Sequence, residues 1–94
     1  MVQQFFHQER EYEVFIRDGG FVCNGLGMGA QWHRVHRAEC RSLNHAGWAR
    51  RGNRTNVRKA ASRNLAELTA WLTTSYGPEG DGFAFCPFCD ARTS

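Results

Sequence analysis

HRVHRAEC, residues 33–40, is the stretch whose reading decides the fold. With the preceding Gln31 and Trp32, it sets Trp32, Arg34 and His36 against His33 and Val35, the period of two expected of a strand. His33 and His36 are an odd number of steps apart, so a strand points them to opposite faces. His36 and Cys40 follow at the strand's end with three residues between them, where chain entering a turn can aim both side chains to one side. About half the sequence later, CPFC at 86–89 offers two more thiols with two residues between them. At that spacing a tight turn directs both sulfurs at one tetrahedral ion. Together the two segments supply His36, Cys40, Cys86 and Cys89, a Cys₃His set of the kind that binds structural Zn²⁺. His36 is the histidine of shortest reach to Cys40, with His33 and His45 as the alternatives. A thioredoxin-type redox pair or disulfides at CPFC are the competing readings, but a redox pair normally opens a helix after a strand, and few residues follow Cys89. Cys23 reads as a small buried apolar side chain.

Working outward, GFVCN (20–24) is a short β-branched run, and with 31–36 it predicts a hairpin joined by the glycine-rich GLGMGA. That loop is not a phosphate cradle, because no helix opens directly after it. VRKAA (57–61) predicts a third short strand. SRNLAELTAWLTT (62–74) is the clearest helix, with Leu65, Leu68 and Leu72 beside Ala61 and Trp71 as its apolar stripe. Ser62 can cap it, or Asn64 with Glu67, and Gly77 and Pro78 end it. Residues 3–17 place Phe5, Tyr12, Phe15 and Ile16 on one helical face before the stop at DGG (18–20); the competing strand reading uses Tyr12, Val14 and Ile16.

At 94 residues, 41% hydrophobic, the chain has room for one domain, 1–94, with an N-terminal helical addition (1–19) and a stapled core (20–90). This length is only slightly above the roughly 70–80 residues below which an apolar core is thin, so a metal staple would matter. The N-terminal segment lacks the pattern of a signal peptide, and no apolar run is long enough to span a bilayer. A soluble cytoplasmic protein is the expectation, and a reducing compartment favours metal-bound thiols over disulfides.

The formal charge of +3 is segregated. Residues 34–63 carry Arg34, Arg37, Arg41, Arg50, Arg51, Arg54, Arg58, Lys59 and Arg63 against Glu39 alone, whereas both flanking segments are net acidic. Eight of those nine cations are arginine, whose planar fork suits phosphate and can stack on bases. The tract therefore points to nucleic acid, against the plainer reading of a solvated surface.

VHRAEC, then the basic stretch, NVRKAASRNLAELTAWL and the closing GFAFCPFC together resemble the metal-binding domain of Ada-type DNA alkylation-repair proteins. The resemblance covers about residues 20–90 and rests on the order and type of the ligands. It implies a small α+β fold: a zinc-stapled β-hairpin, a short third strand and a helix in the C-terminal half, here with an added N-terminal helix. It places Cys40, Cys86 and Cys89 on cysteine ligands of that family and His36 where the methyl-accepting cysteine would stand. Ligation commits an imidazole's lone pair to the metal, so His36 cannot serve as the thiolate nucleophile, and methyl transfer is not expected.

The leading functional expectation is a non-enzymatic zinc module that binds nucleic acid, DNA before RNA. Arg37, Arg41, Arg50, Arg51, Arg54 and Arg58 would meet phosphates, and Trp48 or Trp32 would stack on a base or pack beneath the arginines. A protein-interaction or regulatory module is the alternative. A small metal-dependent nuclease is the third reading, disfavoured because a Cys₃His site has no open position and no Asp/Glu pair accompanies the basic-tract histidines. Neither a membrane nor a small-molecule substrate is expected.

Overall fold

The computed structural model of the chain describes residues 1–44 and 54–92. His45, Trp48, Arg50 and Arg51 lie outside the described residues, and of Arg54 only the backbone is described. The described residues form a small α+β fold: a five-stranded mixed sheet with a helix on each face. The strands are β1 (Gln3–Phe5), β2 (Phe21–Leu26), β3 (Arg34–Arg37), β4 (Arg58–Ser62) and β5 (Ala84–Phe85). The helices are α1 (Glu9–Arg17) and α2 (Leu65–Tyr76). The sheet order is β1-β4-β2-β3-β5, antiparallel throughout except for the parallel β3–β5 pair.

Strand register separates the interior into two cores. Val22 pairs with both His36 and Ala61, and these side chains share the face that carries α1 with Phe5, Tyr12, Phe15, Cys40, Leu43 and Cys86. One residue along, Cys23 pairs with Val35 and Ala60, which meet Leu68 and Leu72 of α2, Phe83 and Ala91 on the opposite face. Both faces are therefore covered, and β2, at the centre of the sheet, reads as an unbroken apolar run at Phe21–Cys23.

α2 begins at Asn64, whose side chain accepts the Glu67 N–H at 3.0 Å, while Ser62 donates to Glu67 Oε1 at 2.6 Å. The cap is therefore Asn64; Ser62 supports it from outside the helix, accepting the Asn64 N–H at 3.0 Å, and Gly77 closes the helix. Leu68 and Leu72 are fully buried.

Three expectations are corrected. Residues 3–5 are strand, not the start of a helix over 3–17: β1 pairs with β4, Gln3 opposite Ala61 and Phe5 opposite Lys59, and the helix begins only at Glu9. The 1–19 segment is accordingly built into the sheet and core rather than appended to them. Phe5 fits this placement, since with β1 held against β4 its ring packs back onto Tyr12 and Phe15 of α1 at centroid distances of 5.7 and 5.8 Å. Residues 30–32 form a short 3-10 turn, so β3 starts at Arg34 instead of at 31. Gly25 permits that turn: it sits at φ +85°, and a Cβ there would collide with the Trp32 carbonyl oxygen. The backbone of the turn can press against β2 only because position 25 has no side chain.

Candidate metal centre

Three backbone devices bring the four residues singled out by spacing into one place. β3 delivers His36 to the α1 face. The chain then turns at once, the Cys40 N–H donating to the Arg37 carbonyl at 3.0 Å and the Asn44 N–H to the Cys40 carbonyl at 3.1 Å. The Asn44 side chain fixes this turn, donating to the Ala38 carbonyl at 2.6 Å and accepting from the Tyr12 hydroxyl of α1 at 2.7 Å. Finally, β5 lies parallel to β3, so the Cys86 N–H reaches the Val35 carbonyl at 2.9 Å, and the CPFC turn closes with the Asp90 N–H on the Cys86 carbonyl at 3.1 Å.

The result is a quartet in which one donor atom each from His36, Cys40, Cys86 and Cys89 all lie within 4.8 Å of one another. Cys40 and Cys86 approach to 3.9 Å between sulfurs. All but Cys89 are buried, and Cys89 is half-buried. The Ser42 hydroxyl stands 3.0 Å from Cys40 Sγ and 3.5 Å from Cys86 Sγ, and the Arg37 backbone N–H points at Cys89 Sγ from 3.4 Å. These groups can donate to sulfur and so favour thiolate over thiol.

The electrostatics suit a cation at the centre. His36 is pushed down to about 4 by burial, reinforced by Lys59 and Arg34, so its ring is neutral at physiological pH and has a lone pair to give. Its Nδ1 is buried without any hydrogen-bond partner among the described residues, an uncommon condition for a buried polar atom and one that a metal ion would relieve. Cys89 is raised to about 12, by burial first and then by the neighbouring Cys40 and Cys86, against the Arg37 N–H. Cys86 is lowered: burial opposes ionisation, but hydrogen bonds from Ser42, the Cys89 and Phe88 backbones and Cys40 outweigh it. Three sulfurs this close cannot all ionise without a positive charge among them, and the quartet could hold a metal ion that supplies it.

Two further candidates among the described residues, His33 and Cys23, stand elsewhere. His33 faces the α2 side, its Nδ1 2.8 Å from the Gly82 carbonyl and its ring 4.5 Å from that of Tyr76, and is 2% exposed. Cys23 is fully buried, and burial raises its thiol to about 12, keeping it neutral and apolar.

The basic tract divides by role. Arg37 braces the knuckle that carries Cys89, its Nε on the Cys89 carbonyl at 3.2 Å and its Nη2 on the Asp90 carbonyl at 3.4 Å. Arg41 is exposed and lines an open cleft with Cys40, Ser42, Phe88 and Cys89. Arg58 is exposed and lies over the Phe6 ring at 5.0 Å. Sequence reasoning passed over Ser42 and Asn44, which organise the Cys40 turn. Their signal was present in SLN following Cys40, since Ser and Asn side chains commonly bond nearby backbone in turns.

No helix among the described residues is long and apolar enough to cross a membrane. No protein-family model, curated protein or solved structure matches the chain.

Proposed function

We propose that the chain is a small nucleic-acid-binding module stapled by one structural zinc ion at His36, Cys40, Cys86 and Cys89. The convergence of three thiols on the ring of His36, a neutral imidazole whose Nδ1 has no hydrogen-bond partner among the described residues, carries this reading. Cys₃His is a set that zinc takes in structural sites. Metal–sulfur bonds of about 2.3 Å at tetrahedral angles set sulfurs about 3.8 Å apart, and Cys40 and Cys86 stand at 3.9 Å. With four protein ligands no position is left for substrate or water, so the ion's role is architectural and the module is not an enzyme. The resemblance to Ada-type metal-binding domains adds an association with the DNA backbone. The methyl-accepting position, held by His36, gives no thiolate to alkylate.

The arginines of residues 34–63 supply the binding surface. Arg41 and Arg58, exposed on the described surface, would meet phosphates directly, and Arg50, Arg51 and Arg54 extend the tract. Arg37 supports the Cys89 knuckle from within. Each phosphate neutralised releases counterions, so log affinity for duplex DNA should fall with log salt at about −0.9 per contact. Binding to random-sequence duplex at a series of salt concentrations tests this: four to six contacts give a slope of roughly −4 to −5. The triple change Arg50→Ala, Arg51→Ala and Arg54→Ala should flatten it by up to about three with metal content unchanged. Absence of binding to DNA and RNA at low salt would reject the reading.

A second reading, a protein-interaction module, draws on Phe88, which projects 85% exposed from the CPFC turn beside Arg41. A solvent-facing aromatic on a rigid knuckle is the sort of side chain that anchors interfaces. Capture of a protein partner that survives nuclease treatment, and is lost in Phe88→Ala, would favour it.

A further inference from the structure

On the same face of the sheet as the metal centre, beyond the Cys40 turn, lies a cavity of about 290 Å³. β2 contributes Asn24 and Gly25, β4 contributes Lys59, the Cys40 turn contributes Ser42, and Met28 and Trp32 form the outer wall. Its size is near the lower end of small-molecule sites, room for one flat ring system rather than an extended chain.

The wall and the floor are chemically distinct. Trp32 and Met28 are 56% and 52% exposed, and neither belongs to the two buried cores. Two large, soft side chains left out of the interior thus flank a cavity that continues inward. At the floor, Lys59 is only 2% exposed, and its Nζ donates to Asn24 Oδ1 at 2.5 Å. An ammonium can only donate, so Asn24 must turn its oxygen to Lys59 and keep its NH₂ for other partners. With the Ser42 hydroxyl, the polar groups of the cavity are therefore weighted toward donors, and no carboxylate is among the described residues that line it. The matching ligand is planar, stacks on an indole, and presents carbonyl or ring-nitrogen acceptors along its edge.

We propose that this cavity is a nucleobase pocket that accepts one unstacked keto base, thymine, uracil or guanine, from a single-stranded nucleic acid. Trp32 is its stacking platform, and Lys59 and Asn24 are the donors to the base edge. The proposal deepens the nucleic-acid reading above and rests on it. Arg41 and Arg58, both exposed, are the chain neighbours of Ser42 and Lys59, so a strand whose phosphates they held would lie beside the pocket. Ser42 also touches Cys40 and Cys86, which makes one wall of the pocket dependent on the metal centre.

The test holds phosphate charge constant and varies the base. Oligothymidylate, oligoadenylate and an abasic oligomer of equal length are titrated into the full metal-loaded chain at one salt concentration. Oligothymidylate should bind about tenfold more tightly than the abasic strand, within the range of one base stacked on an aromatic ring, and more tightly than oligoadenylate. Trp32→Ala should abolish the advantage over the abasic strand without altering the salt slope, and Lys59→Met should erase the discrimination between thymine and adenine. In parallel, thymidine monophosphate should shift the Trp32 indole N–H and Met28 methyl resonances. Equal binding of the three oligomers without those shifts overturns the pocket while leaving phosphate binding standing. Shifts with the mononucleotide but no oligomer binding support the pocket and overturn the backbone reading. A thymine preference that persists in Trp32→Ala overturns the assignment of the platform.

Discussion

The Cys86 N–H donates to the Val35 carbonyl at 2.9 Å, one residue before His36, so the CPFC knuckle is locked to β3 by backbone as well as by any shared ion. Removal of metal should consequently loosen this corner of the fold rather than release a dangling segment. The cluster of Leu68, Leu72, Val35 and Phe83 on the opposite face contains no ligand and gives the sheet a second anchor.

Chelation is expected to lower the thermal midpoint sharply. Structural zinc is worth about 10–16 kcal/mol in small peptides that have no other core; with the Leu68 and Leu72 core still in place, its loss here should remove a large part, not all, of the roughly 5–15 kcal/mol net stability usual for a domain. Elemental analysis of native protein should find one zinc per chain, and Cys86→Ser should lose it together with thermal stability. Native protein without zinc, or a Cys86→Ser transition unmoved from the parent's, would refute the staple.

Paired substitutions at His33 and His36 would separate a structural from a ligating histidine. His33→Ala removes a buried side chain and its bond to the Gly82 carbonyl, and should cost about 1–3 kcal/mol with metal content intact. His36→Ala should release the metal. Spectra of the cobalt-substituted protein would distinguish them, since only the His36 variant alters the ligand set.

The metal-free domain should be acid-sensitive. His36 titrates near 6.5 when unfolded and near 4 when folded, so between those values the unfolded chain binds more protons. Stability is therefore full above about pH 6.5, falls as pH drops toward 4, and levels below; the loss is about 3 kcal/mol. Urea unfolding of chelated protein across this window measures it, and His36→Gln should flatten that part of the profile. A parent profile without slope there would mean that the ring is solvated.

Gly25→Ala should cost stability and disturb Trp32. The substitution places a Cβ against the Trp32 carbonyl at a residue with φ +85°, and a left-handed non-glycine alone costs about 1–3 kcal/mol. Gly27→Ala is the control: its φ is +90° but nothing lies within 4 Å of its Cβ, so it carries the backbone strain without the collision.

The quartet was legible in the sequence because it depends on two local rules. Strand alternation separates His33 from His36, and the two-residue spacing in CPFC pairs its sulfurs; the four residues so chosen are those that the fold brings within 4.8 Å. The hairpin's strands and α2 were legible for the same reason, each carrying its own period, turn or cap. β1 was not. Three residues cannot display a period, and Phe5 is extended because its backbone pairs with Lys59 of β4, a partner that no local pattern around residue 5 encodes. β5 has two residues and its neighbour is β3, so the pairing that installs the knuckle beside His36 is again non-local. Arg37 could be read as basic but not as bonded to the Cys89 and Asp90 carbonyls, since that follows from where the knuckle lands.

The 46-residue separation of Cys40 from Cys86 has a kinetic consequence. Closing so long a loop is entropically unfavourable before the intervening β4 and α2 are in place, and parallel pairing such as β3–β5 is among the slower steps of folding. Should the two half-sites meet only after the rate-limiting barrier to folding, the ligand contacts would be absent from the transition state. Interactions absent from a transition state slow unfolding and leave the folding rate nearly unchanged. The ion would act as a latch on the finished domain, lengthening its lifetime against proteolysis and heat far more than it speeds its formation.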